Sequence, residues 1–148
     1  MTTAKAKKYL ETQVKTASKE QLLMMLIDGG IRFARQGKQG LADNDFVTAF
    51  QSLVRSQKIV MELLCALDKS IMGQDLYNSL ASLYKFIYFR LVEASLRKSE
   101  AMVDEALDIY THLRQTWSMA IEKQQQDGIV TLPEAGQVRP QCAISIQG

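Results

Sequence analysis

A single histidine, two cysteines and two prolines in 148 residues leave this chain little to build chemistry with. His112 stands alone, so the paired Glu-x-x-His motifs of a di-metal helical bundle cannot be assembled, and no metal is expected. There is no glycine-rich phosphate loop and no serine elbow, which excludes the common nucleotide and acyl-transfer constellations. No enzyme and no cofactor are expected. Cys65 and Cys142 lack the count and spacing of a disulfide framework or a zinc site, and Cys65 reads as a small core residue. A net charge of +2 is too small for a nucleic-acid footprint. The basic residues are dispersed apart from Lys5, Lys7, Lys8 and Lys15, which read as a solvated face, with a membrane-surface contact as the alternative. Nothing approaches the ~20 consecutive apolar residues of a membrane span, and no apolar signal segment follows the first lysines. The expectation is a cytoplasmic protein without membrane insertion.

What the chain does have is helical periodicity. Ser18-x-x-Gln21 is a capping box that starts a helix near Lys19. From Leu22, at 100° per residue, Leu23, Leu26, Ile27, Phe33, Ala34 and Leu41 fall within an arc of about 140°. Gly29 and Gly30 inside this helix cost about 2 kcal/mol relative to alanines, which close approach of a neighbouring helix would offset; a backbone contact with a ligand is the alternative. Asp28 is either exposed or an anchor for the lead-in.

Asn44 or Asp45 caps a second helix, in which Phe46, Phe50, Leu53, Val54, Val60, Met61, Leu64 and Leu67 recur on one side. Between that side and its charges lies an uncharged strip of Thr48, Ser52, Ile59 and Leu63. Lys69-Ser70 and Gly73 break the pattern before a third helix, whose core stripe is Leu76, Leu80, Leu83, Ile87, Leu91 and Ala94. Tyr77, Ala81, Tyr84, Tyr88, Val92 and Ser95 share an adjoining uncharged arc, which is either a docking surface or a second buried side. Ser99 caps a fourth helix lining up Val103, Ala106, Tyr110, Leu113, Trp117, Ala120 and Ile121, while Glu100, Asp104, Glu105 and Asp108 read as its solvated face.

These signals specify an all-α fold, an antiparallel up-down four-helix bundle with helices at about 19–41, 45–67, 75–97 and 99–125. Residues 1–126 form one domain that opens with a short helical or extended cap segment, 1–18. Residues 127–148, rich in Gly, Pro and Gln, read as a mobile tail.

Tyr9, Val14, Thr16-Ala17-Ser18, Glu20-Gln21-Leu22-Leu23, Leu26 and Asp28-Gly29, in this spacing, resemble the opening of the flagellin-specific export chaperones, the FliS family. Lys19 stands where that family usually has proline, and Ile27 where it usually has an aromatic. Leu80-x-x-Leu-Tyr84, Arg90-Leu91-Val92-Glu93-Ala94 and Leu113-Arg114-x-x-Trp117 extend the resemblance, so that it covers about residues 9 to 121. It implies a cytosolic chaperone that holds the carboxy-terminal segment of flagellin, prevents premature polymerisation and assists delivery to the gate of the flagellar type III export apparatus. Joined to the helical reading, it places flagellin on Tyr77, Leu80, Tyr84, Tyr88 and Leu91, with Ile59 and Leu63 alongside. Tyr9, Leu10 and Val14 of the lead-in would cover the empty site. The competing expectation is a structural or regulatory bundle that self-associates, as a weak homodimer, through the same patch and never meets flagellin.

Overall fold

The computed structural model describes residues 4–8 and 18–127. Among them are six helices and no strand: α1 at 4–8, α2 Lys19–Ala42, α3 Phe46–Cys65, α4 Lys69–Met72, α5 Gln74–Arg97 and α6 Glu100–Asp127. Tyr9, Leu10 and Val14 of the expected cap, and the tail from residue 128, lie outside the described residues.

Local chemistry sets the helix ends. The Ser18 hydroxyl accepts from the Gln21 amide at 3.2 Å while the Gln21 side chain accepts from the Ser18 amide at 3.0 Å, so two of the unpaired donors at the start of α2 are satisfied reciprocally. At the other end Asn44 takes a left-handed conformation, φ 57, and Asp45 caps α3 by accepting from the Thr48 amide. The expected break at Lys69-Ser70 is instead a helical turn, α4, because Asp68 accepts from the Ser70 amide at 2.9 Å; the break falls at Gly73, φ 85, where a side chain would be strained. Lys98 closes α5 in the left-handed region, and Ser99 accepts from the Met102 amide to open α6.

Each long helix packs on two others, α2 and α5 both contacting α3 and α6, which closes a helical bundle around one core. Val103, Tyr110 and Leu113 from α6, Ile27 from α2, Leu53 and Val60 from α3, and Ile87 and Leu91 from α5 are all but inaccessible. Cys65 is buried in this core. It is disulfide-bonded, which a count of two cysteines did not suggest.

The double glycine follows from packing. A Cβ on Gly30 would stand 2.5 Å from the Tyr110 hydroxyl, and one on Gly40 would stand 2.8 Å from the Ala49 backbone nitrogen. α2 thus approaches α6 at Gly30 and α3 at Gly40 more closely than any side chain permits, and the dense packing at these crossings offsets the lower helix propensity of glycine. Asp28 is exposed and pairs with Arg114 of α6.

Three expected core residues lie at the surface: Phe46, Phe50 and Leu76 are 39%, 57% and 50% exposed. Phe46 and Leu76 sit in the first turn of their helices, and Phe50, next to the buried Ala49, lies on the flank of α3 rather than on its inner face. The acidic series on α6 is only partly a free face, since Asp104 pairs with Lys38 at 2.8 Å and Glu105 with Arg90 at 2.9 Å. No helix among the described residues is long and apolar enough to cross a membrane.

Candidate functional site

Where α3 and α5 run side by side, neither helix presents a charge along the flank next to the other. On α3, Phe50, Val54, Gln57 and Met61 fall within an arc of about 60°, and on α5 so do Tyr77, Ala81, Tyr88, Val92 and Ser95. Two observations orient these arcs. Phe46 and Phe50 share a recess of about 120 Å³ with Ser95 and Lys98, so the α5 arc meets the α3 arc there. The opposite flank of α5 carries Arg90, which reaches Glu105, and therefore faces α6. The result is an uncharged furrow between α3 and α5. All of its residues except the buried Ala81 retain some exposure.

A cation stands over an aromatic ring at each end. The Lys98 ammonium lies 4.2 Å from the Phe46 ring centre, and the Lys69 ammonium lies 4.9 Å from that of Tyr77. An apolar trough with positive ends has the chemistry to receive an amphipathic helix whose apolar side is flanked by carboxylates.

The expected docking residues divide. Tyr77 and Tyr88 are half-buried against the core at the furrow, Tyr88 meeting the exposed Phe89 edge to face at 5.4 Å. Tyr84 is 1% exposed, and its hydroxyl accepts from the Trp117 indole N–H at 3.0 Å. Leu80, Leu91 and Leu63 are also core residues. Ile59 is half-buried on another side of α3, where its Cδ1 packs near Gly29 of α2. The strip of Thr48, Ser52, Ile59 and Leu63 therefore contributes to the α2–α3 contact and does not join the tyrosines. Phe50, Val54, Gln57, Met61 and Lys98 were missed. Their signal was the i, i+4, i+7, i+11 spacing of uncharged residues beside the core stripe of α3, which reads equally as a widened core.

Beneath the furrow, polar atoms are satisfied without solvent. The Ser56 hydroxyl donates to the Gly30 carbonyl at 2.8 Å, and the Tyr110 hydroxyl donates to the Ser56 carbonyl at 3.1 Å. Burial pushes the Tyr84 and Tyr110 hydroxyls well above the ordinary tyrosine range, and their hydrogen bonds to Trp117 and Ser56 offset this only in part. A raised folded-state value means that the neutral form contributes stability fully below about pH 10, where unfolded tyrosine titrates, and loses it as pH rises toward the folded value. Alkaline titration should therefore cost about 1.4 kcal/mol per tyrosine for each pH unit above ~10. Phenolate absorbance of these two residues should appear only together with unfolding seen by circular dichroism; their ionisation in a still-folded protein would contradict the assignment.

A family model described as "Flagellar protein FliS" matches residues 1–125. The chain is 29% identical over 119 residues to the flagellar secretion chaperone FliS of Bacillus subtilis, spanning 80% of this chain and 87% of that protein. It is 26% identical over 115 residues to the flagellar secretion chaperone FliS of Salmonella typhimurium, covering 77% and 84% of the two chains. With the protein of the same description from Vibrio cholerae serotype O1 it shares 24% identity over 108 residues, 73% of this chain and 79% of that one.

Proposed function

The chain belongs to the FliS family of flagellar proteins, and from that premise we propose that it binds the carboxy-terminal segment of flagellin in the cytosol, prevents its premature polymerisation and assists its delivery to the gate of the flagellar type III export apparatus. A flagellar secretion chaperone is the role its relatives carry. The observation that carries the finer reading is the uncharged α3–α5 furrow. Amphipathic stretches of flagellin lay their apolar faces along Phe50, Val54, Met61, Tyr77 and Tyr88, and the rings bury area while the tyrosine hydroxyls keep polar partners. Tyr84, Leu80 and Leu91 shape the floor from within. No turnover and no cofactor enter this role.

The bundle is read as antiparallel and up-down. Cross-helix partners support this, because their numbers rise on one helix as they fall on the other: Gly30 with Ser56 and Gly40 with Ala49, Lys38 with Asp104 and Asp28 with Arg114, Arg90 with Glu105 and Tyr84 with Trp117. Residues 1–126 act as one domain. In the empty protein the lead-in with Tyr9, Leu10 and Val14 covers part of the furrow, lowering apparent affinity by the fraction of time it is bound. Deleting residues 1–15 should then tighten flagellin binding and reduce solubility; unchanged affinity together with unchanged solubility would rule out the cap.

Amide chemical-shift mapping with the flagellin segment tests the location. Shifts concentrated at Phe50, Val54, Tyr88 and Val92 support the furrow, and shifts confined to α2 and α6 reject it. The self-associating reading keeps one observation in its favour, since Phe89 and Leu96 are 46% and 75% exposed on α5. A dimer that forms in sedimentation without flagellin, and that Leu96→Lys abolishes, would raise it.

A further inference from the structure

α2 faces α6 on the side of the bundle away from the furrow, and between them opens a cleft of about 560 Å³. Arg32, Arg35 and Arg114 stand around it, Asp28 is the one acidic residue among the described residues of its lining, and buried Ile31 forms part of its floor. Three guanidiniums against one carboxylate leave this lining with +2, as much as the net charge of the entire chain. Arg114 is held by Asp28. Arg32 stacks over the Phe33 ring at 5.0 Å, and among the described residues neither Arg32 nor Arg35 has a carboxylate within ion-pair distance.

The spacing of these groups suits carboxylates carried on a chain. Arg32 and Arg35 are three residues apart on one face of α2, so their stems lie about one helical turn apart, and each fork offers two parallel donors to a carboxylate. Gln36 and Thr111 add uncharged donors and acceptors in reach of a peptide backbone. The volume lies in the range of pockets that enclose a few side chains. A nucleic-acid strand fits poorly, because a lining with a surplus of only two positive charges neutralises too few phosphates to hold one at ordinary salt.

We propose that the α2–α6 cleft binds an acidic polypeptide segment of a partner protein, with successive carboxylates on Arg32 and Arg35 and a third sharing Arg114 with Asp28. This second site is separate from the furrow and does not depend on what occupies it.

The test uses the full chain and a short fluorescent peptide of repeated Glu-Ala units, with the Gln-Ala peptide of equal length as control. Saturable binding of the Glu-Ala peptide at low salt, absent for Gln-Ala and weakened by raising the salt, is expected. Arg32→Gln with Arg35→Gln should reduce affinity about tenfold. Both arginines are exposed, so the variant should keep the wild-type circular dichroism. In the wild type the side-chain Nε–H resonances of Arg32, Arg35 and Arg114 should move with the peptide. Unchanged affinity in the folded double variant, or shifts confined to other basic residues, would overturn the site. Inorganic phosphate or an oligodeoxynucleotide moving the same resonances at lower concentration than the peptide would overturn the assignment to an acidic polypeptide.

Discussion

Replacing Gly40 with alanine should destabilise the protein by about 3 kcal/mol, although alanine is the better helix former by ~1 kcal/mol. The added methyl would lie within 3 Å of the Ala49 nitrogen, Cα and Cβ. Those are backbone or backbone-fixed atoms that no rotamer change can move aside. α2 and α3 would have to separate, and the packing around Leu53 and Ala34 would loosen with them. Gly29→Ala is the control, since its methyl would meet only the flexible Ile59 Cδ1 at 3.4 Å. That substitution should be neutral or stabilise by up to about 1 kcal/mol. Urea unfolding of the two variants separates the cases, and equal stabilities would mean that the close crossing is not what the glycine serves.

Tyr110→Ala should cost about 3 to 5 kcal/mol, a large share of the ~5–15 kcal/mol typical of a domain. Its ring is fully buried, and its hydroxyl ties Ser56 of α3 to α6 above the Gly30 carbonyl of α2. Truncation removes the ring from the core and one link from a network spanning three helices. Tyr110→Phe keeps the ring, and Ser56 keeps Gly30 as its acceptor, so about 1 kcal/mol is expected. Gly30→Ala clashes with the same ring, whereas in the Tyr110→Ala background its methyl enters vacated space. The double variant should therefore lose less than the sum of the singles by roughly 1 kcal/mol or more. Strict additivity in denaturant unfolding would contradict the direct contact.

Much of this was legible from residue types. The Ser18-Gln21 capping box and the Ser99 cap are local chemistry, and each forms the hydrogen bonds that its residues advertise. Gly29-Gly30 announced a close approach, but not that its far side would be Tyr110 of α6, because no local pattern encodes which helix crosses where. Tyr84 shows the same limit. A tyrosine beside an apolar stripe suits a wet rim as well as a core, and the choice is made by Trp117, distant in sequence, which donates a hydrogen bond to the buried hydroxyl. Substituting Tyr84 would thus report on stability and not on docking. Phe46 and Phe50 erred in the opposite direction. Their periodicity matches the core stripe, yet Phe50 lies on the flank of α3 that borders α5 and Phe46 in its first turn, and both remain exposed.

The most direct measurement is a calorimetric titration of the full chain with the carboxy-terminal segment of flagellin from the same organism, repeated with Phe50→Asp. Phe50 is more than half exposed, so the variant should fold, while an aspartate in the uncharged furrow would have to be desolvated on binding. The account predicts saturable one-to-one binding with negative ΔCp for the wild type, and a loss of affinity of at least about tenfold in the variant. No binding by folded wild-type protein would contradict the flagellin assignment, and equal binding by Phe50→Asp would contradict the furrow.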